Sequence, residues 1–214
     1  MPRWQSEPVR RDYDPAQLGA GIYPLLNSVV VPRPIAWVST RSADGVDNLA
    51  PHSFFTISSV VPPVVQFTSV GAKDSLRNAQ ATGEFVVCLC PEDLVEQVNA
   101  SATDFPADVS EFDAVGLARE ASRLVTPPRV AASPVAIECR LLGTRDFGGG
   151  STVLFGEVLW VAVDERVLRD DRPAIDLLRP VARLGANEWC TVGEVSERRR
   201  VPYAELQAQS GRPA

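Results

Sequence analysis

The chain of 214 residues contains one histidine, His52. A histidine-based zinc site is therefore excluded, and no Cys, Asp or Glu stands at ligand spacing around that residue. Positive charge is also short: 21 Lys and Arg face 27 Asp and Glu, a formal net charge of −6. Duplex nucleic acid normally requires a basic face to neutralise its phosphates, so that class of partner is excluded. A small anionic ligand is not, because local Lys and Arg decide its binding. No run approaches the roughly 18 apolar residues that cross a bilayer, and the N-terminus lacks the basic-then-apolar layout of a signal peptide. We therefore expect a cytoplasmic protein without a membrane partner. Neither G-x-G-x-x-G nor G-x-x-x-x-G-K-[ST] occurs, which removes the common glycine-loop routes to nucleotides. Hydrolase chemistry lacks a basis as well, since Ser53 adjoins His52 and cannot easily offer it a hydroxyl, and no orienting carboxylate is evident.

What is present is an ordinary globular composition, 45% hydrophobic and 22% charged, sufficient to bury a sizeable core. The four cysteines, Cys88, Cys90, Cys139 and Cys190, fall in apolar, strand-like surroundings. They read as reduced thiols acting as small hydrophobes, with a metal site or redox pair as the alternative. Cys88 and Cys90 would face the same side of a strand.

Strand signals dominate the chain. Residues 35–41 and 46–49 flank Ser42-Ala43-Asp44-Gly45, whose Asp-Gly pair supplies the positive φ of a tight hairpin. Val60-Val61-Pro62-Pro63 breaks the chain before a fresh strand at 64–70. Asp74 or Ser75 can cap a short helix reaching Thr82, with Gly83 placed to end it in a left-handed conformation. A buried strand follows at 84–90, then helical spacing at 92–102 and a polar, turn-rich stretch at 101–110. Two long strands, 135–145 and 152–164, are joined by Phe147-Gly148-Gly149-Gly150, and 179–186 reads as a loop. The spacing predicts a mainly β chain, an antiparallel barrel with helical additions. It divides into an N-terminal arm (1–15), one domain (16–192) and a charged C-terminal tail (193–214).

The stretch 33–59 reads as two strands and a loop crowded with hydroxyl side chains and free backbone donors. Lys73-Asp74-Ser75 lies at the predicted helix start, where a cation, a hydroxyl and unsatisfied N–H groups converge, a combination suited to phosphate. An exposed lysine beside a capping residue is the plainer description. His52 suits a hydrogen bond to backbone or ligand, or a purely structural place. Trp37, Trp160 and Trp189 suit core or interface packing, or stacking on an aromatic cofactor.

Three segments together resemble the flavin reductase-like proteins with an FMN-binding split barrel. They are Pro32-Arg33-Pro34-Ile35-Ala36-Trp37-Val38-Ser39-Thr40, Asn48-Leu49-Ala50-Pro51-His52-Ser53-Phe54-Phe55, and Lys73-Asp74-Ser75-Leu76-Arg77-Asn78. Gly83-Glu84-Phe85-Val86-Val87, Gly156-Glu157-Val158 and Arg183-Leu184-Gly185 add to the match. The resemblance implies a homodimer of six-stranded antiparallel split barrels with FMN near the subunit interface. It assigns cofactor contacts to Trp37, Ser39, Thr40, Asn48, Ala50, Pro51, His52, Ser53 and Phe54. Lys73, Asp74 and Ser75 would serve the phosphate, and Arg183 would approach from the late loop. The flavin would carry the chemistry, taking electrons from NADH or NADPH, so no protein catalytic group is implied.

Dedicated NAD(P)H:flavin reductases of that family often carry Gly-Asp-His-Thr before the Gly-Glu-Val strand. Here the run is Gly149-Gly150-Ser151-Thr152. The wording is closer to the flavoredoxin-like branch, in which FMN stays bound and the electrons pass to a small-molecule acceptor or to a partner such as an oxygenase. The alternative is an FMN-binding electron carrier without turnover.

Overall fold

The structure, a computed structural model, describes residues 9–210. Its centre is a seven-stranded antiparallel sheet. The strands are β1 (Ala36–Arg41), β2 (Asp47–His52), β3 (Phe55–Val60), β4 (Pro63–Val70), β5 (Glu84–Cys88), β6 (Val135–Asp146) and β7 (Ser151–Val163). They lie side by side in the order β2-β1-β5-β6-β7-β4-β3. β2 and β3 occupy opposite ends of that order, yet only Ser53 and Phe54 separate them in the chain. A linker that short forces the two edges together at this point, so the sheet curls into a barrel closed at one corner. The closure is packed: the His52 ring lies 4.7 Å from Phe67 of β4, and Thr68 N–H donates to Phe54 C=O at 2.9 Å.

Seven strands replace the six expected. Residues 55–59, expected within the loop of the 33–59 stretch, form a strand with Val60; the chain turns at Val61 and Pro62, and the strand pairs with β4, with a bulge between Ile57 and Ser59. The strand expected at 46–49 forms and runs further than expected, to His52, so that it includes Pro51. Proline is tolerated there because β2 pairs only with β1, and an edge strand has no ladder bond to lose on its open side.

The alternation along β1 and β5 sorts two cores. Ala36, Val38, Phe85 and Val87 point into the barrel with Phe67, Cys139 and Leu154, and the helix Asp74–Thr82 closes them with Leu76 and Ala79. Trp37, Val86 and Cys88 point outward and are covered by Val98, Phe112, Leu117 and Val125 from residues 91–130. Strands buried on both faces read as continuous apolar runs. Cys88 and Cys90 share the outer core, and burial pushes the Cys88 and Cys139 thiols up to about 12. The excursion is pinned by Glu138, fully buried, which accepts from the N–H groups of Arg123 and Leu124 at 2.8 and 2.7 Å and from Arg129 Nε at 3.0 Å.

Two glycines of the family-like segments are explained by close approach. A Cβ on Gly156 would lie 2.2 Å from Phe85 Cζ, and one on Gly185 would lie 2.6 Å from Ser28 Oγ.

The predicted hairpin at Asp44-Gly45 forms, with Gly45 at φ +88°, and Gly83 ends its helix at φ +77°. The capping is different from the expectation. Lys73 holds the N-cap position without a side-chain capping bond, while Asp74 and Ser75 lie within the first turn. The late loop contains a strand, Val181–Arg183, which pairs with Arg33–Pro34 and Trp189–Thr191 in a small sheet. Helices Ile22–Val29 and Tyr203–Ser210 were not expected. The outer part of the N-terminal arm, residues 1–8, lies outside the described residues. Among the described residues no helix is long and apolar enough to cross a membrane.

Candidate functional site

A concavity opens at the barrel's closing corner. A cleft of about 180 Å³ is lined by Ala50, Pro51, His52, Ser53 and Phe54, with Thr68 and Val70 of β4, Tyr23, Lys73 and Ala102. It adjoins two further hollows that share Ser53. One is a groove of about 480 Å³ running past Arg33 and Phe55, the other a pocket of about 120 Å³ at Arg183 and Trp189. Of the residues assigned from sequence, Ala50, Pro51, His52, Ser53, Phe54 and Lys73 meet on one surface, and Arg183 borders it.

The remaining assignments lie beneath or beyond that surface. Trp37 is fully buried in the outer core, its indole N–H donating to Ser101 Oγ at 2.9 Å, so it cannot stack on a ligand. Ser39 and Thr40 are fully buried too. Thr40 Oγ1 donates to Asn48 Oδ1 at 3.3 Å and accepts from Asn78 Nδ2 at 3.2 Å, whereas Ser39 Oγ has no hydrogen-bond partner among the described residues. Asp74 is bridged to Arg77 and faces a different hollow, beside Ser42 and Asp108.

Asn48, Ser75 and His52 form a buried floor. Asn48 Nδ2 donates to Glu111 Oε1 at 2.7 Å, and Leu49 N–H donates to Glu111 Oε2 at 2.8 Å. Ser75 Oγ lies 3.1 Å from Asn48 Oδ1 and 3.2 Å from His52 Nε2. Glu111 thus fixes the amide that receives Ser75. Burial raises the Glu111 carboxyl above its ordinary range. Burial is also the main cause that holds His52 down at about 4, with Lys73 adding to it and the backbone of Thr68 opposing it. The imidazole is neutral at pH 7. This Ser–His contact is not a nucleophilic pair, because so weak a base cannot activate a hydroxyl at neutral pH, and the nearest buried carboxylate is engaged by Asn48 and Leu49.

Lys73 stands at the cleft's edge as N-cap of the nine-residue helix Asp74–Thr82, where it meets the exposed Asp104 at 2.5 Å. The N–H groups of Asp74 and Ser75 precede the first helical bonds, which Leu76 and Arg77 make to the Lys73 carbonyl at 3.1 Å, and they add to the lysine's field. Sequence reasoning missed Tyr23, Thr68, Ala102 and Glu111. Only the hydroxyl of Thr68 on a predicted strand carried a signal; the others come from elements whose packing on β2 is set by long-range contacts.

The comparisons decide the family. Residues 28–179 match the model described as flavin reductase like domain. The chain belongs to the flavin reductase-like family. Its split-barrel fold is shared with nitrilotriacetate monooxygenase component B from Bacillus cereus, 30% identical over 90% of this chain and 100% of that one, TM-score 0.85. The 2-nitrobenzoate 2-nitroreductase of Pseudomonas fluorescens is 30% identical over 90% and 97% of the two chains, TM-score 0.82. Flavoredoxin of Desulfovibrio vulgaris is 26% identical over 79% and 91%, TM-score 0.74.

Proposed function

We propose that this flavin reductase-like chain binds FMN in the cleft at the barrel's closing corner and acts as an oxidoreductase. It would accept electrons from NADH or NADPH and pass them to a flavin, another small acceptor or a partner oxygenase. The observation that carries the reading is the placement of Lys73, at the start of a nine-residue helix, on the same cleft as residues 50–54. A cation beside free helix N–H groups fits a phosphate. The backbone and small side chains of Ala50, Pro51 and Ser53 leave room for a ring system. The names of the neighbours, a nitroreductase, a monooxygenase component and a flavoredoxin, agree with redox work.

Bound FMN would supply the redox chemistry, so the chain's residues need only bind, orient and exclude water. Lys73 would hold the phosphate after releasing Asp104. The neutral His52, locked between Ser75 and the Thr68 backbone, would keep β2's last residues rigid and leave no extra charge beside the ring. Tyr23 and Phe54, with ring centroids 6.2 Å apart, wall the cleft's apolar side.

A second reading, an FMN-holding electron carrier, is favoured by one observation. The run 148–151 is a glycine turn with positive φ at Gly148, Gly149 and Gly150. It offers no protonatable side chain to a nicotinamide. A homodimer is part of the proposal, because edge strand β3 and its turn expose Ile57, Val60 and Val61 by 70, 79 and 89%.

Purified protein should be yellow, or become so with added FMN, and should bleach under anaerobic NADH or NADPH. Bleaching by dithionite alone would select the carrier; a protein that ignores FMN would sink both readings.

A further inference from the structure

Arg33 and Arg183 are direct cross-strand partners in the small sheet. Residues so paired present their side chains to the same face, and like charges placed this way destabilise a sheet. Nothing acidic relieves them. Among the described residues, Arg33 donates to the carbonyls of Asn27, Val30 and Leu184 and, at 3.5 Å, to Ser53 Oγ. Arg183 donates to the Ala186 carbonyl at 2.7 Å and stacks over Trp189 at 4.7 Å. Among the described residues neither guanidinium meets a carboxylate, in a chain whose net charge is −6. Arg33 is 7% exposed, and its pKa is lowered first by burial and next by Arg183. A bound anion would offset both costs.

The two side chains converge on Ser53. It lines the pocket with Arg183 and the groove with Arg33, and among the described residues its oxygen accepts from Arg33 Nε at 3.5 Å while its hydroxyl hydrogen meets no acceptor. The groove is walled by Leu26, Val30, Pro32, Pro34 and Phe55. An anionic group at the arginines thus continues into an apolar trough. Lys73 lines the cleft but neither of these hollows.

We propose that Arg33, Arg183 and the Ser53 hydroxyl form a carboxylate subsite, distinct from the phosphate end at Lys73, that takes a small organic acid with an apolar body as the second ligand of the flavin cleft. The inference rests on the FMN reading above. A guanidinium suits a carboxylate because its N–H groups form a fork matching the two oxygens; Arg33 already donates four of its five N–H groups to Asn27, Val30, Leu184 and Ser53, so Arg183 would supply the fork and Arg33 its charge.

The test uses the FMN-loaded protein, titrated with benzoate and with its neutral analogue benzamide while the flavin's visible absorption is followed. Benzoate should perturb the spectrum saturably, benzamide at least tenfold more weakly, and added salt should weaken benzoate alone. Arg183→Gln should weaken benzoate at least tenfold, and by a larger factor than it weakens FMN. Arg183→Lys, which keeps the charge but not the fork, should fall between; it also serves if the glutamine variant does not fold. Equal responses to benzoate and benzamide would overturn the subsite. So would a loss of FMN in the Arg183 variants as large as that of Lys73→Ala, which would assign this arginine to the cofactor. Parent protein that binds FMN but ignores benzoate rejects only this inference, whereas failure to bind FMN at all rejects the reading beneath it.

Discussion

Ser75 Oγ, in the first turn of the helix Asp74–Thr82, sits 3.2 Å from Nε2 of His52 at the end of β2. The contact ties the predicted phosphate end of the cleft to the strand that would face the ring. Removing it with Ser75→Ala leaves a buried nitrogen and Asn48 Oδ1 each short of a partner, a cost of about 1–3 kcal/mol. Urea unfolding should show that loss, and Ser75→Thr should recover part of it. No change in the midpoint would mean the floor relaxes without the hydroxyl.

Lys73→Ala should weaken FMN by about 1.5–3 kcal/mol, the range for a hydrogen bond to a charged group. Riboflavin, which has no phosphate, should bind parent and variant alike. Equilibrium fluorescence titration of both ligands separates a phosphate contact from a general loss of the cleft.

Acid should destabilise the protein through His52. Its folded pKa of about 4 lies below the ordinary 6.5, so between those values the unfolded chain takes up a proton that the folded chain refuses. Stability then falls as pH drops from 6.5 toward 4, by an amount on the order of 3 kcal/mol, and above 6.5 the group contributes no pH dependence. Subtracting the pH profile of His52→Gln from that of the parent isolates this residue from the carboxylates. A flat difference across the window would show that the imidazole charges freely in the fold.

Gly156→Ala should cost about 1–3 kcal/mol, the usual penalty of overpacking, because the new methyl would meet the Phe85 ring of β5 at 2.2 Å. Combining it with Phe85→Leu should lower the additional penalty. Thermal unfolding of the two single variants and the double gives the coupling directly.

Light scattering should return twice the mass of the chain, and Val60→Lys with Val61→Lys should halve it if β3 and its turn form the dimer face. A parent protein of single mass would remove the homodimer from the proposal.

Much of this was legible in the sequence for local reasons. Asp44-Gly45 set the β1–β2 hairpin, Gly83 stopped its helix, and the two-sided burial of β1 and β5 appeared as apolar runs. β3 was not legible because Phe55-Thr56-Ile57-Ser58-Ser59-Val60 sits at a sheet edge with a bulge, which blurs alternation. In the site, Lys73 could be read from a helix start and Ser53 from a hydroxyl-rich loop, whereas Ala50, Pro51 and Phe54 were implied only by the family resemblance. Trp37, Ser39 and Thr40 were misplaced because their depth depends on residues 91–130 folding over β1. Tyr23, Arg33 and Glu111 gain meaning only through partners distant in the chain, which periodicity does not encode.

The two residues between β2 and β3 are both the lining of the cleft and the seam of the barrel. A local change in most binding loops alters only the ligand; a residue inserted at Ser53–Phe54 would shift where the sheet's edges meet and with them the registry of Thr68 against Phe54. Ligand preference in this architecture is therefore expected to diverge through side chains along the seam and through the elements laid over it, Ile22–Val29 and Val181–Arg183, while the length of the seam itself stays fixed.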